Sequence, residues 1–176
     1  MILINNHYSY EQGSQLGSGG QGVVRLAKDI INQKEVAIKL YTETELQAIE
    51  RSLNENNAFH DVDGEREITI LKLLQDRKRA DFPTYLDDGW YGEPERSRYV
   101  VMDIFPKGAS LEGVIQQRER RMSQEETLTI IKKVAESIHY LHTQGVEPII
   151  HRDIKAGNVW LVSENGNTIL YDFSTV

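Results

Sequence analysis

The sequence contains no cysteine, which excludes disulfides and thiolate metal sites and is compatible with a reducing compartment. Positive charge is also scarce, with 20 Lys and Arg against 27 Asp and Glu, a formal net charge of −7. That balance argues against a broad phosphate-neutralising surface, so nucleic acid is not expected as a partner. No apolar run approaches the roughly 20 residues of a membrane-spanning helix, so no membrane segment is expected. The opening Met1-Ile2-Leu3-Ile4 is too short for the apolar core of a secretory signal; a cytoplasmic location is the expectation. Internal repeats and low-complexity tracts are also missing. What is present, 39% hydrophobic and 27% charged residues over 176 positions, suits one soluble globular domain with a sizeable core.

The first half of the chain reads as strands and the second mainly as helix. Tyr8 to Leu16 and Val23 to Asp29 flank a glycine cluster, and Glu35 to Tyr41 alternates on a two-residue period, which predicts an antiparallel meander. In the third of these strands Ala37 and Lys39 fall on one face and Val36, Ile38 and Leu40 on the other. The core is expected on the second face, leaving Lys39 outside it. Residues 44–78 read as charged and helical, with a break near 60–64 and Asp63 as a cap for a helix carrying Ile68, Leu71 and Leu74. Glu67 shares the side of Ile70, Leu71 and Leu74. A strand pair follows in residues 82–92 and 98–105, and residues 106–110 read as a short hinge. Ser123 and Glu126 fit a capping box. The helix behind it carries Leu128, Ile131, Ala135, Ile138 and Leu141 on one side, with Ile130 and Val134 widening the stripe, so burial on more than one side is expected. His139 and His142, one turn apart, have no third metal ligand and read as ordinary helix positions.

Several residues carry chemistry. Gly17, Gly19 and Gly22 form a G-x-G-x-x-G pattern in the segment Gly17-Ser18-Gly19-Gly20-Gln21-Gly22, where backbone amides can approach phosphate oxygens without side-chain obstruction. A plain glycine hairpin would explain this signal taken alone. Lys39 follows in Val-Ala-Ile-Lys; a surface lysine is the simpler reading, but Glu67 is a candidate ion-pair partner that would hold it toward phosphate. Far more specific is His151-Arg152-Asp153-Ile154-Lys155-Ala156-Gly157-Asn158, since four fixed positions match by chance in roughly one window in 10^5. Here Asp153 can accept a proton from an attacking hydroxyl and Lys155 can stabilise a transferred phosphoryl group. Asn158 and Asp172 offer oxygens to magnesium.

In order and type these motifs resemble the eukaryotic-type (Hanks-type) serine/threonine protein kinases along essentially the whole chain. The resemblance implies an α+β, protein-kinase-like bilobal fold, with residues 1–105 as a complete N-terminal sheet lobe with its helix C. Residues 106–176 would be the hinge and only the start of a helical C-terminal lobe. It implies that Leu16, Val24 and Ala37 cover an adenine, that Met102 is the gatekeeper, and that the backbones of Asp103 and Phe105 offer hinge hydrogen bonds. Lys39 would contact ATP phosphates, Glu67 would hold Lys39, Asp153 would be the catalytic aspartate, and Asn158 and Asp172 would bind Mg2+. Leu71, His151 and Phe173 match an apolar column joining the lobes of active kinases, and Lys155 matches serine/threonine specificity.

Departures from the family pattern are informative. Ser174 replaces a glycine, which bears on the mobility of that turn. Trp160 occupies the adenine-floor position usually held by leucine, and implies a smaller pocket or an adenine stacked on indole. Lys39 and Glu67 are widely separated, so residues 43–59 are expected to add a helix, read as a solvated insertion or a partner-docking element. The chain also stops just after the Asp-Phe pair. It is therefore expected to be a kinase cut short, with a partner chain or the absent C-terminal lobe covering the 123–142 helix. The expected activity is ATP- and magnesium-dependent phosphorylation of a protein serine or threonine. An ATP-binding pseudokinase, a fragment inactive alone and a small-molecule kinase are the competing readings.

Overall fold

The computed structural model describes residues 1–19, 22–41, 64–75, 79–92, 97–118, 121–143 and 147–173. Gly20, Gln21, the 43–59 stretch, Asp63 and Ser174 lie outside the described residues. The chain divides into two units, Met1–Leu73 with Thr84–Ile104, and Leu74–Pro83 with Phe105–Val176.

The first unit is built on β1 (Ile2–Ile4), β2 (Tyr8–Gly19), β3 (Gly22–Asp29), β4 (Lys34–Tyr41), β5 (Tyr85–Tyr91) and β6 (Ser97–Met102). These form one six-stranded sheet in the order β1-β2-β3-β4-β6-β5, antiparallel throughout. The antiparallel meander expected from residues 8–16, 23–29 and 35–41 is present. Its β3–β4 turn is shaped by Asp29, whose Oδ1 accepts from the backbone N–H groups of Ile31 (3.0 Å) and Asn32 (2.9 Å), the local bonding that makes aspartate a turn residue. Residues 2–4, noted above only as too short for a signal, form a strand of their own. Ile4 is buried with Tyr8, Ala27, Val36, Ile38, Leu40, Tyr99 and Val101 in a common core. Full burial of one such aliphatic side chain contributes about 1.5–3 kcal/mol. Asn5 then donates through Nδ2 to the carbonyl of Trp90 and the hydroxyl of Tyr99, both at 3.1 Å. The turn after the first strand is thereby tied to β5 at the far end of the sheet order, which curls the sheet around its core.

Helix α1 (Glu65–Gln75) buries Glu67, Ile68, Ile70, Leu71 and Leu74, the side assigned from the spacing. Near its end Lys72 pairs with Asp88 of β5, which also accepts from Arg98 of β6 at 2.9 Å. Burial alone would raise the Asp88 carboxyl, but hydrogen bonds from Lys72 and Tyr85 hold it below the usual range.

In the second unit β7 (Gly108–Ser110), β8 (Val159–Val162) and β9 (Thr168–Leu170) make a three-stranded sheet, accompanied by α2 (Leu111–Gln117) and α3 (Gln124–Thr143). The expected hinge at 106–110 is corrected here. Gly108 to Ser110 form a strand, paired with Val162 to Trp160, and Ser110 caps α2 by accepting from Gly113 N–H at 3.1 Å. The expectation that the second long helix is buried on more than one side is corrected as well. The buried line of α3 is Ile130, Ser137 and Leu141, whereas Leu128 and Ile131 are each 57% exposed. Ser137 belongs to that line because its hydroxyl donates to Asp81 Oδ2 at 2.7 Å, so a polar residue marks the packed side and the apolar stripe misleads.

The capping box is present. Glu126 N–H donates to Ser123 Oγ at 3.1 Å and Ser123 N–H donates to Glu126 Oε2 at 2.8 Å. The Ser123 backbone N–H and then Arg118 bring the Glu126 carboxyl down to about 2. A depressed carboxylate stabilises the fold above its ordinary value near 4.5 and loses that contribution as pH falls toward 2. Thermal melts between those pH values should therefore show a steeper loss for the native sequence than for Glu126→Gln. Parallel melting curves would remove the capping carboxylate from the account.

Candidate active site

Strand pairing gathers one group of the residues selected from the sequence. Val24 lies opposite Lys39 on the β3–β4 ladder, and Met102 lies opposite Ala37 on the β4–β6 ladder, so these residues share one face. Lys39 Nζ donates to Glu67 Oε2 at 2.5 Å, with the two side chains 10% and 4% exposed. This corrects the expectation that the lysine face of β4 lies outside the core: Val36 to Tyr41 are all buried, because α1 brings Glu67 over Lys39. A further donor, missed in the sequence, is Tyr41, whose hydroxyl reaches the same Glu67 oxygen at 2.9 Å. Its position two residues after Lys39 was the available signal, since alternate strand residues share a face.

Gly22 begins β3 opposite Tyr41 at φ 154°, and a Cβ there would stand 2.2 Å from the Leu40 carbonyl oxygen, so only glycine fits without displacing backbone. Around Gly17 no atom lies within 4 Å of a built Cβ. Leu16 is 54% exposed. Met102 ends β6, and the N–H of the following Asp103 donates to Thr84 O at 3.1 Å.

The second unit holds the other group. Asp153 Oδ2 accepts from Lys155 Nζ at 2.6 Å and from Asn158 Nδ2 at 2.9 Å, while Asn158 Nδ2 also reaches the Asp153 carbonyl at 2.9 Å. Among the described residues Asp153 Oδ1 takes no hydrogen bond. Lys155 and then Asn158 hold the Asp153 carboxyl below its usual range, and Asp153 in turn raises the Lys155 ammonium. Asn158 is buried in a short 3₁₀ turn, Ala156–Asn158, and its N–H donates to Lys155 O at 3.0 Å. With its amide nitrogen committed to Asp153, Asn158 Oδ1 is the atom left for a hard cation.

His151 donates through Nε2–H to the Tyr171 carbonyl, 3.0 Å away, and its ring lies 4.9 Å from that of Phe173, which is fully buried. Burial keeps the His151 imidazole below its ordinary value, favouring the neutral ring. Arg152 at φ 60° and Asp172 at φ 66° adopt a left-handed backbone that costs such residues about 1–3 kcal/mol, a strain that concentrates at functional sites. Trp160 donates from Nε1 to Pro106 O at 3.0 Å. Its ring stands 5.5 Å from Phe105, itself 5.4 Å from Tyr171, so the indole is fixed on two sides.

Within the second unit, the open Asp153 oxygen and the Asn158 amide oxygen suit a hard cation by chemistry. Comparison with known proteins gives the same direction. Residues 10–176 match the family described as protein kinase domain. SNF1-activating kinase 1 of Saccharomyces cerevisiae is 31% identical over 179 residues, covering 94% of this chain and 14% of that protein. The serine/threonine-protein kinase PknA of Corynebacterium glutamicum is 28% identical over 162 residues, covering 90% of this chain and 30% of that protein. The chain thus spans less than a third of either relative. A solved structure described as the apo form of PpkA-294 superposes with a TM-score of 0.70 at 18% identity over 97% of this chain and 59% of that one, a likeness of fold. With the match running from residue 10 in β2 to residue 176, the chain belongs to the protein kinase domain family.

Proposed function

We propose that the chain is the catalytic region of an ATP-dependent protein serine/threonine kinase, moving the γ-phosphoryl group of Mg-ATP to a protein hydroxyl. The observation that carries this reading is Asp153. Lys155 and Asn158 pin one carboxylate oxygen and keep the group ionised, while the other oxygen stays open to an incoming hydroxyl. The acceptor oxygen would bond to the γ phosphorus as the bond to ADP breaks, its proton passing to Asp153. Lys155 would face the charge on the phosphoryl oxygens, and Lys39, held by Glu67, would meet the α and β phosphates. Leu16, Val24, Ala37, Met102, Asp103, Phe105 and Trp160 would receive the adenine, and the amides of residues 17–22 the phosphates. Asn158 and Asp172 would hold magnesium, which when bound offsets phosphate charge. Catalysis would rest on positioning and charge stabilisation.

The reading extends to a division of roles at residues 105 and 106, a protein substrate, and a cytoplasmic location. Among the described residues no helix is long and apolar enough to cross a membrane. The test is phosphoryl transfer from Mg-ATP to a generic basic protein by the full-length gene product, with nucleotide binding followed by calorimetry. Transfer that requires magnesium is expected. Binding without transfer would replace the reading by a regulatory nucleotide-binding module, and absence of binding would remove both.

A further inference from the structure

Tyr41 is the last residue of β4 and is 2% exposed. Its hydroxyl donates at 2.9 Å to Glu67 Oε2, the oxygen that also receives Lys39 Nζ, and the Lys39 ammonium lies 5.2 Å from the centre of the Tyr41 ring. The Cδ1–Cε1–Cζ edge of that ring faces the start of α1. Gly64, at φ 68°, precedes the helix and supplies the carbonyl that accepts from Ile68 N–H at 2.9 Å. A Cβ on Gly64 would lie 2.2 Å from both Cε1 and Cζ of Tyr41, so the ring occupies the space a side chain there would need.

The hydroxyl has an effect separable from the packing of the ring. The terminal torsion of a glutamate is broad, so a single donor to one oxygen leaves the carboxylate free to swing. Two donors converging on Oε2, one from Lys39 and one from Tyr41, fix its orientation. Glu67 in turn sits in the first turn of α1, where a carboxylate is favoured by the helix dipole.

We infer that Tyr41 is a positioning residue for the Lys39–Glu67 pair: its ring seats the start of α1 beside Gly64, and its hydroxyl locks the Glu67 carboxylate that holds Lys39. The kinetic consequence rests on the kinase reading above; the clasp itself rests only on the geometry of the first unit.

The experiment compares Tyr41→Phe with Tyr41→Leu in the full-length protein, with two readouts. The first is the rate of acetylation of Lys39 by acetic anhydride without nucleotide, followed by mass spectrometry. The second is the separate measurement of kcat and KM for Mg-ATP. Tyr41→Phe keeps the ring and removes only the donor. It is expected to speed Lys39 acetylation and to lower kcat about tenfold, the change associated with a hydrogen bond to a charged group, with little change in KM or melting temperature. Tyr41→Leu should add a loss of melting temperature. If Tyr41→Phe acetylates and turns over as the native protein does and only Tyr41→Leu is affected, the ring merely fills space and the inference is overturned. Faster acetylation in a protein that transfers no phosphate supports the clasp and rejects the kinase reading, so the two can fail separately.

Discussion

Asp153→Asn is expected to lower phosphoryl transfer by about 10^2–10^4-fold, the range for removing a general base, while leaving the affinity for Mg-ATP close to native. The reason is local. Oδ2 of Asp153 is already held by Lys155 and Asn158, so an asparagine can keep most of the backbone geometry of the loop while losing the charge that, on the proposed reading, would accept the hydroxyl proton. Lys155 would lose the carboxylate that raises its ammonium, but as an exposed lysine it stays protonated near neutral pH. The comparison is made by steady-state transfer and by calorimetry on the same preparations. Turnover at the native rate would remove Asp153 from the chemistry, whereas loss of nucleotide binding would mean that its main role is structural.

Glu67→Leu should destabilise the protein by about 3–5 kcal/mol, because it strands the Lys39 ammonium at a site where both partners are almost fully buried. Against a usual net stability of about 5–15 kcal/mol, that is a large fraction. The companion variant replaces the whole cluster, Lys39→Met with Glu67→Leu and Tyr41→Phe, so that neither a charge nor a hydroxyl is left without a partner. Apolar replacement of a buried ion pair is often neutral or stabilising, so most of the lost stability should return. Phosphoryl transfer should remain absent in both variants. Denaturant midpoints and transfer rates measured side by side separate the two roles. Equal midpoints for Glu67→Leu and the native protein would show that the pair is not buried in solution, and transfer by the triple variant would end the assignment of Lys39 to the phosphates.

How much of this was legible in the sequence varied with the kind of signal. Period-two alternation placed β4, and helical spacing placed the buried side of α1, because both depend on local backbone geometry. The capping box of α3 was readable for the same reason: its donors and acceptors lie three residues apart. Failures came where partners are distant in sequence. The pairing of Lys39 with Glu67 was named from the sequence and is present, but Lys39 was put outside the core, since nothing local shows how deeply the helix buries the pair. On α3 the apolar residues Leu128 and Ile131 outweighed Ser137, yet Ser137 lies on the packed side through Asp81, a partner 56 positions away. Residues 108–110 were read as a hinge because a three-residue strand containing glycine has almost no pattern of its own; it exists by pairing with β8.

By itself the sequence determined the family, because the His-Arg-Asp…Asn run is contiguous and the spaced glycines precede it in the family's order. Only the tertiary structure decided which oxygen of Asp153 is occupied and which is open, that Tyr41 joins Lys39 on Glu67, and that Asn5 ties the turn after β1 to β5. Those facts depend on side-chain directions and long-range pairing, which a linear pattern does not encode. They are settled when packing selects one arrangement among many that the same local propensities allow.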